Sequence, residues 1–244
     1  MSLVSIRPAS MPRAAACPLT RVSAAWTLSR MTSPSWPVRI SLPLPGVRAT
    51  FHDAGHILGS AQVVIDYRGQ RAVISGDYKR RRDPTCPAFE PVPCHVFISE
   101  ATFGLPVFRH PPAQDEIGRL VRSLAQFPDR AHLVGAYALG KAQRIIRTLR
   151  EAGWDRAIYV HGALERLNAL YEREGVDLGP ILPTRDLPKG ALGGEVVVAP
   201  PSAVQDRWSR RFADPVVAFA AGGLGVRARA RPTGVELPLV VSGQ

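Results

Sequence analysis

Two periods of apolar residues organise the chain from Val47 onward. Val47–His52 reads as a strand, Ala61–Tyr67 is apolar and β-branched, and Ala72–Ser75 returns as a buried strand, with Arg68-Gly-Gln-Arg71 as the hairpin connection. The apolar run His95–Ser99 predicts another strand, ending at Glu100. Ile117, Leu120, Val121 and Leu124 recur at helical spacing and predict a helix over Ala113–Gln126. Beyond residue 130, short strands (His132–Ala136, Ala157–Val160, Glu195–Ala199, Val216–Ala220, Glu236–Ser242) alternate with helical stretches (Lys141–Ala152, Ala163–Glu174 closed by Gly175, and a shorter Ser202–Phe212). That alternation predicts parallel βαβ packing and an α/β fold. There is no internal repeat and no coiled-coil pattern.

The composition changes sharply near residue 50. Residues 1–50 hold six Arg and all three Met but no Asp, Glu, His or Lys. Such a stretch reads either as an acid-poor targeting presequence or as one that does not encode evolved protein. Prolines at 8, 12, 18, 34, 37, 43 and 45 work against the amphipathic helix of a transit peptide and favour the second reading. Residues 1–46 are therefore expected to be poorly ordered. No apolar run reaches the roughly 20 residues of a membrane span, so a soluble, cytoplasmic protein without membrane partners is expected.

With 244 residues and 45% apolar content, the chain can bury a sizeable core. A formal charge of +11 favours a polyanionic partner, nucleic acid before membrane surface, although an arginine-rich coding bias would produce the same excess. Three cysteines make no disulfide framework. Cys86, Cys94 and His95 match no zinc-knuckle spacing and read as ordinary loop residues.

The chemistry concentrates in Phe51-His-Asp-Ala-Gly-His-Ile-Leu-Gly-Ser60 and Ile74-Ser-Gly-Asp-Tyr78. Small residues around His56 let the backbone turn and aim an imidazole off a sheet edge. Asp77 follows a buried strand, where a carboxylate is costly unless it meets a cation. A His and a bridging carboxylate are half of a two-metal hydrolytic centre; a turn residue and a turn cap are the structural alternative. Gly140-Lys141 opens a helix, so free backbone N–H groups, the positive end of the helix dipole and an ammonium converge where a phosphate could bind. Arg144, Arg147 and Arg150 read as a solvated helix face. Lys79–Arg82 either flanks a substrate channel or is an ordinary charged loop. The row Arg227, Arg229, Arg231 either tracks a nucleic-acid backbone or protects a sheet edge. His161 reads as a turn residue, and His52, His95, His110 and His132 show no partner pattern.

Ala54-Gly-His-Ile-Leu-Gly-Ser60, Ser75-Gly-Asp-Tyr78, Ser99-Glu-Ala-Thr-Phe-Gly104 and Gly135-Ala-Tyr-Ala-Leu-Gly-Lys141 together resemble the metallo-β-lactamase-fold nucleases of the β-CASP type, over about residues 47–241. Within that family the ligase-associated DNA exonucleases, also known as mRNA 3′-end processing factors, are the nearest pattern. The resemblance implies an αββα sandwich, here incomplete, with a reduced β-CASP-like insertion. It divides the chain into a core over 47–129, the insertion over 130–215 and a return to the core sheet over 216–244. It implies a zinc-dependent phosphodiesterase acting on DNA, with RNA second, in repair beside a ligase and a helicase. His56 resembles a metal ligand and Asp77 the carboxylate between two zinc ions, which makes them the catalytic pair. Glu100 resembles an acidic residue that orients the site from behind, and Tyr137, Gly140 and Lys141 resemble a substrate-phosphate contact.

The pattern also departs from that family. Its His-x-His-x-Asp-His loop is absent before the first histidine, His52, no Ser-Asp-His follows Val240-Val-Ser242, and Gly222-Gly-Leu-Gly225 replaces a more apolar segment. Two ligands cannot hold a zinc pair. The expectation is a terminally truncated relative with little or no nuclease activity, the alternative being a catalytically dead module that binds nucleic acid or docks a partner.

Overall fold

A computed structural model describes residues 39–41, 45–185, 187, 192–223 and 234–241. The arginine row 227–231 and nearly all of the compositionally odd segment 1–46 lie outside the described residues.

The first sheet contains β1 (Arg39–Ser41), β2 (Val47–Asp53), β3 (Ala61–Tyr67), β4 (Gln70–Ile74) and β5 (Val96–Ile98), in that spatial order. β1 to β4 are antiparallel neighbours, and β5 joins β4 in parallel. Arg68 and Gly69 both adopt positive φ at the β3–β4 turn, which lets the two strands close with so short a connection. The period-2 pattern of β3 buries Gln62 and Val64 on one face. The strand predicted at 95–99 forms as β5, and its Val96, Phe97 and Ile98 are all exposed. Its apolar composition marks the strand, and its exposure follows from its place as the last strand of its sheet.

The second sheet has order β11-β10-β6-β9-β7-β8, and every described pairing in it is parallel. Its strands are β6 (His132–Gly135), β7 (Ile158–Val160), β8 (Ile181–Pro183), β9 (Val196–Ala199), β10 (Val216–Ala220) and β11 (Leu237–Leu239). β6 and β9 are buried throughout, as strands covered on both faces must be. Val134, Val196 and Val198 point to a core shared with α1 (Ala113–Gln126), α2 (Lys141–Glu151) and α3 (Gly162–Arg173). Leu133, Val197 and Ala199 point the other way, toward Ala203, Val204 and Phe212.

β10 and β11 extend the parallel sheet beside β6. α1 packs its Ile117, Leu120 and Leu124 into the core of the second sheet. The stretch predicted as one helix over 202–212 is α4 (Pro201–Val204) followed by a 3-10 turn (Arg207–Arg211), and β8 carried no clear sequence signal. Among the described residues no helix is long and apolar enough to cross a membrane.

Candidate functional site

His56 sits on a turn that its own sequence closes. Ser60 Oγ accepts the N–H groups of both His56 (3.0 Å) and Ile57 (3.1 Å), and Ala54 N–H donates to the Ser60 carbonyl at 3.1 Å. Gly55 has φ +68°, and a β-carbon there would lie 2.6 Å from the Lys79 carbonyl oxygen and 2.8 Å from the Phe89 nitrogen. Only glycine lets the two loops approach so closely. The approach is fixed by Lys79, whose N–H donates to the Ala54 carbonyl (3.0 Å) and whose Nζ donates to the His56 carbonyl (3.1 Å).

These contacts bring the two predicted metal donors together. His56 Nε2 lies 3.7 Å from Asp77 Oδ2. Two donors about 2.1 Å from one zinc in tetrahedral geometry are separated by about 3.4 Å, so the pair fits a shared ion. The Asp77 side chain is 56% exposed, which corrects the expectation of a carboxylate made costly by burial. It follows Gly76, at φ +56°, in the turn beyond β4, and solvent stabilises its charge.

The facing wall comes from the carboxyl end of β6. Gly140 has φ +80°, and a β-carbon on it would lie 2.3 Å from Ile57 Cγ2, so the start of α2 rests directly on the His56 turn. Tyr171 hydroxyl, pushed up to about 12 by burial, accepts from Leu58 N–H at 3.4 Å and ties α3 to the same turn. Lys141 Nζ lies 4.9 Å from the Tyr137 ring centroid. Burial, followed by the neighbouring Arg144 and Lys79 charges, lowers the Lys141 pKa to about 8.

Three of the N–H groups expected to be free at this helix start are bonded within the chain. Gly140 N–H donates to Gln143 Oε1 (2.8 Å), Lys141 N–H to the Leu139 carbonyl (3.0 Å) and Ala142 N–H to the Tyr137 carbonyl (3.0 Å). The positive charge that this helix start offers to the pocket is therefore carried by side chains, Lys141 and Arg144. His56, Asp77, Tyr137, Gly140 and Lys141 line one pocket of about 340 Å³, closed on another side by Ala221–Gly223 after β10. β6 and β10 are adjacent parallel strands, so the pocket lies beyond their carboxyl ends, where open parallel sheets bind ligands.

Sequence reading missed a buried charged group that also lines this pocket. The side chains of Lys79 and Asp83 are only 2% and 3% exposed and form an ion pair. Asp83 also accepts from Thr85 N–H (2.9 Å) and Thr85 hydroxyl (2.6 Å), and Arg144 Nε lies 3.5 Å away. The sequence reads Lys79 either as flanking a substrate channel or as part of an ordinary charged loop, and Arg144 as part of a solvated face. That face is corrected along its length: Arg144 is buried, Arg147 reaches Asp177 (3.4 Å), and Arg150 donates to the carbonyls of Trp154, Arg156, Leu178 and Pro180. The one available signal was Asp83-Pro-Thr85, an acid positioned to cap its own turn.

Glu100 does not join the pair. Its Oε2 accepts Thr102 N–H at 2.6 Å, and it lines an adjacent groove. His161 caps α3, its Nδ1 accepting Ala163 N–H at 3.1 Å. His52 pairs with Glu90 (2.9 Å), His95 accepts Arg71 N–H (2.9 Å), and His132 bonds Ser123 (2.9 Å). Cys86 and Cys94 are free thiols, and burial pushes Cys86 up to about 12. Among the described residues no group of three or more His, Cys, Asp or Glu is placed to hold one metal ion.

No family model matches the chain. Its relatives include a probable DNA ligase from Opitutus terrae, 28% identical over 170 residues, covering 67% of this chain and 16% of that protein. Cleavage and polyadenylation specificity factor subunit 3 from Dictyostelium discoideum is 34% identical over 43% of the chain and 14% of its own length. Endoribonuclease ysh1 from Emericella nidulans is 32% identical over 51% and 14%. The chain thus spans about a sixth or less of these relatives' length.

Proposed function

The chain is a relative of the metallo-β-lactamase-fold β-CASP nucleases, and on that premise we propose that it carries half of a metal-dependent phosphodiesterase centre that takes DNA, with RNA second. The observation that carries this reading is the convergence of His56, Asp77 and Lys141 on one pocket. His56 and Asp77 are the zinc donors, Lys141 and Arg144 draw the substrate phosphate in, and the Tyr137 ring holds the Lys141 ammonium beside it. A zinc ion held by His56 and Asp77 would supply Lewis-acid chemistry and charge neutralisation for phosphodiester hydrolysis. Glu100 acts only through its own turn. The DNA preference and the ligase association rest on the DNA ligase relative; RNA rests on the endoribonuclease. A repair role with a helicase as a further partner, in the cytoplasm, extends the same reading.

Two donors are half of what a single zinc takes. As an isolated polypeptide, these 244 residues are therefore proposed to bind zinc weakly and to lack turnover, acting as a nucleic-acid-binding module. The test is zinc stoichiometry together with degradation of labelled DNA and RNA in zinc or manganese. Stoichiometric zinc, with turnover abolished by Asp77→Ala, would overturn the inactivity.

A further inference from the structure

A second groove opens beside the candidate site. It has a volume of about 530 Å³ and shares Lys79 and Phe103 with the pocket that holds His56 and Asp77. Half-buried Tyr78, Phe103, Phe108 and His110 line it, and Phe103 meets Phe108 and His110 edge-on with centroids 5.0 and 4.8 Å apart. Exposed Arg80, Arg81 and Arg109 line it as well. Arg81 donates only to the carbonyls of His110 (2.6 Å) and Pro111 (3.3 Å), and Arg80 and Arg109 have no carboxylate partner among the described residues. The groove's single carboxylate, Glu100, is held by Thr102 N–H.

Three uncompensated guanidinium groups beside an aromatic cluster suit a phosphate backbone whose bases have left their stack. A duplex keeps its bases inside, where half-buried rings cannot reach them. We propose that this groove binds unpaired nucleotides and delivers a single strand to the neighbouring pocket. The inference rests on the phosphodiesterase reading for its direction, but the groove can be tested without metal.

The experiment is fluorescence anisotropy of the full chain in chelator, using a short fluorescein-labelled oligodeoxythymidylate and a blunt duplex of equal length. Wild-type chain should prefer the single strand. Phe108→Leu, which keeps apolar bulk but loses the π face, should weaken oligothymidylate binding about tenfold and duplex binding far less. Replacing Arg80 and Arg109 together by alanine should reduce the slope of log affinity against log salt by about 1.4, at about 0.7 per lost phosphate contact. Unchanged melting temperatures would confirm that these exposed or half-buried sites act on binding. Equal affinity for both probes, or wild-type binding by both variants, overturns the inference. Groove-dependent binding in a chain whose Asp77→Ala variant loses no zinc refutes the phosphodiesterase reading while the groove stands.

Discussion

At Gly140 the backbone needs both a positive φ and an absent β-carbon, because Ile57 Cγ2 occupies the position where that carbon would go. Gly140→Ala should therefore cost at least about 2 kcal/mol, read as a lowered urea midpoint. Asp83 is the residue whose loss should be most damaging. Removing it leaves Lys79 and Arg144 buried without their shared carboxylate, so Asp83→Ala should cost about 3–5 kcal/mol by the same measurement. Lys141 is a different case: folding lowers its pKa from 10.5 to about 8. Between those values the unfolded chain holds the proton and the folded chain has released it, so stability rises with pH across that window, and the penalty is full below it. Lys141→Met should remove that slope and raise stability at pH 7 by roughly 1 kcal/mol, the linkage value being discounted for solvent screening. The same titration removes the ammonium, so phosphate affinity at the pocket should fall as pH rises through about 8.

Among the elements, those whose burial follows from local alternation were readable in the sequence. β3 and α1 form over the residues their periods mark, since Gln62 and Val64 share one face and Ile117, Leu120 and Leu124 share another. β5 was not readable in the same way. Val96, Phe97 and Ile98 have the composition of a core strand, but whether another strand flanks them is decided by residues distant in sequence. Val96→Lys should therefore change stability by less than about 0.5 kcal/mol, whereas Val73→Lys, on the fully buried position of β4, should prevent folding at ordinary temperature; circular dichroism melts separate the two. The helix start at Gly140 shows a similar limit. Its sequence marks a turn into a helix, yet Gln143 and two carbonyls claim three of the N–H groups that the same sequence offered to a phosphate.

For the molecule as a whole, sequence order and spatial order diverge where the chemistry lies. His56 and Asp77 stand on turns of the first sheet, Lys141 follows β6, and Gly222 follows β10, yet all four line one pocket. Motif resemblance identified the first three, while the Lys79–Asp83–Arg144 cluster escaped because its partners are 61 or more positions from Arg144 and carry no shared motif. The net charge of +11, summed over the whole chain, favours attraction of polyanions before any specific contact forms. The central claim is that His56 and Asp77 are donors to one ion, and it is tested most directly by adding manganese and following paramagnetic broadening of the histidine ring signals. The account predicts that His56 broadens first in the wild-type chain and that Asp77→Ala abolishes the effect. Broadening led by another histidine, or unchanged in Asp77→Ala, would contradict it.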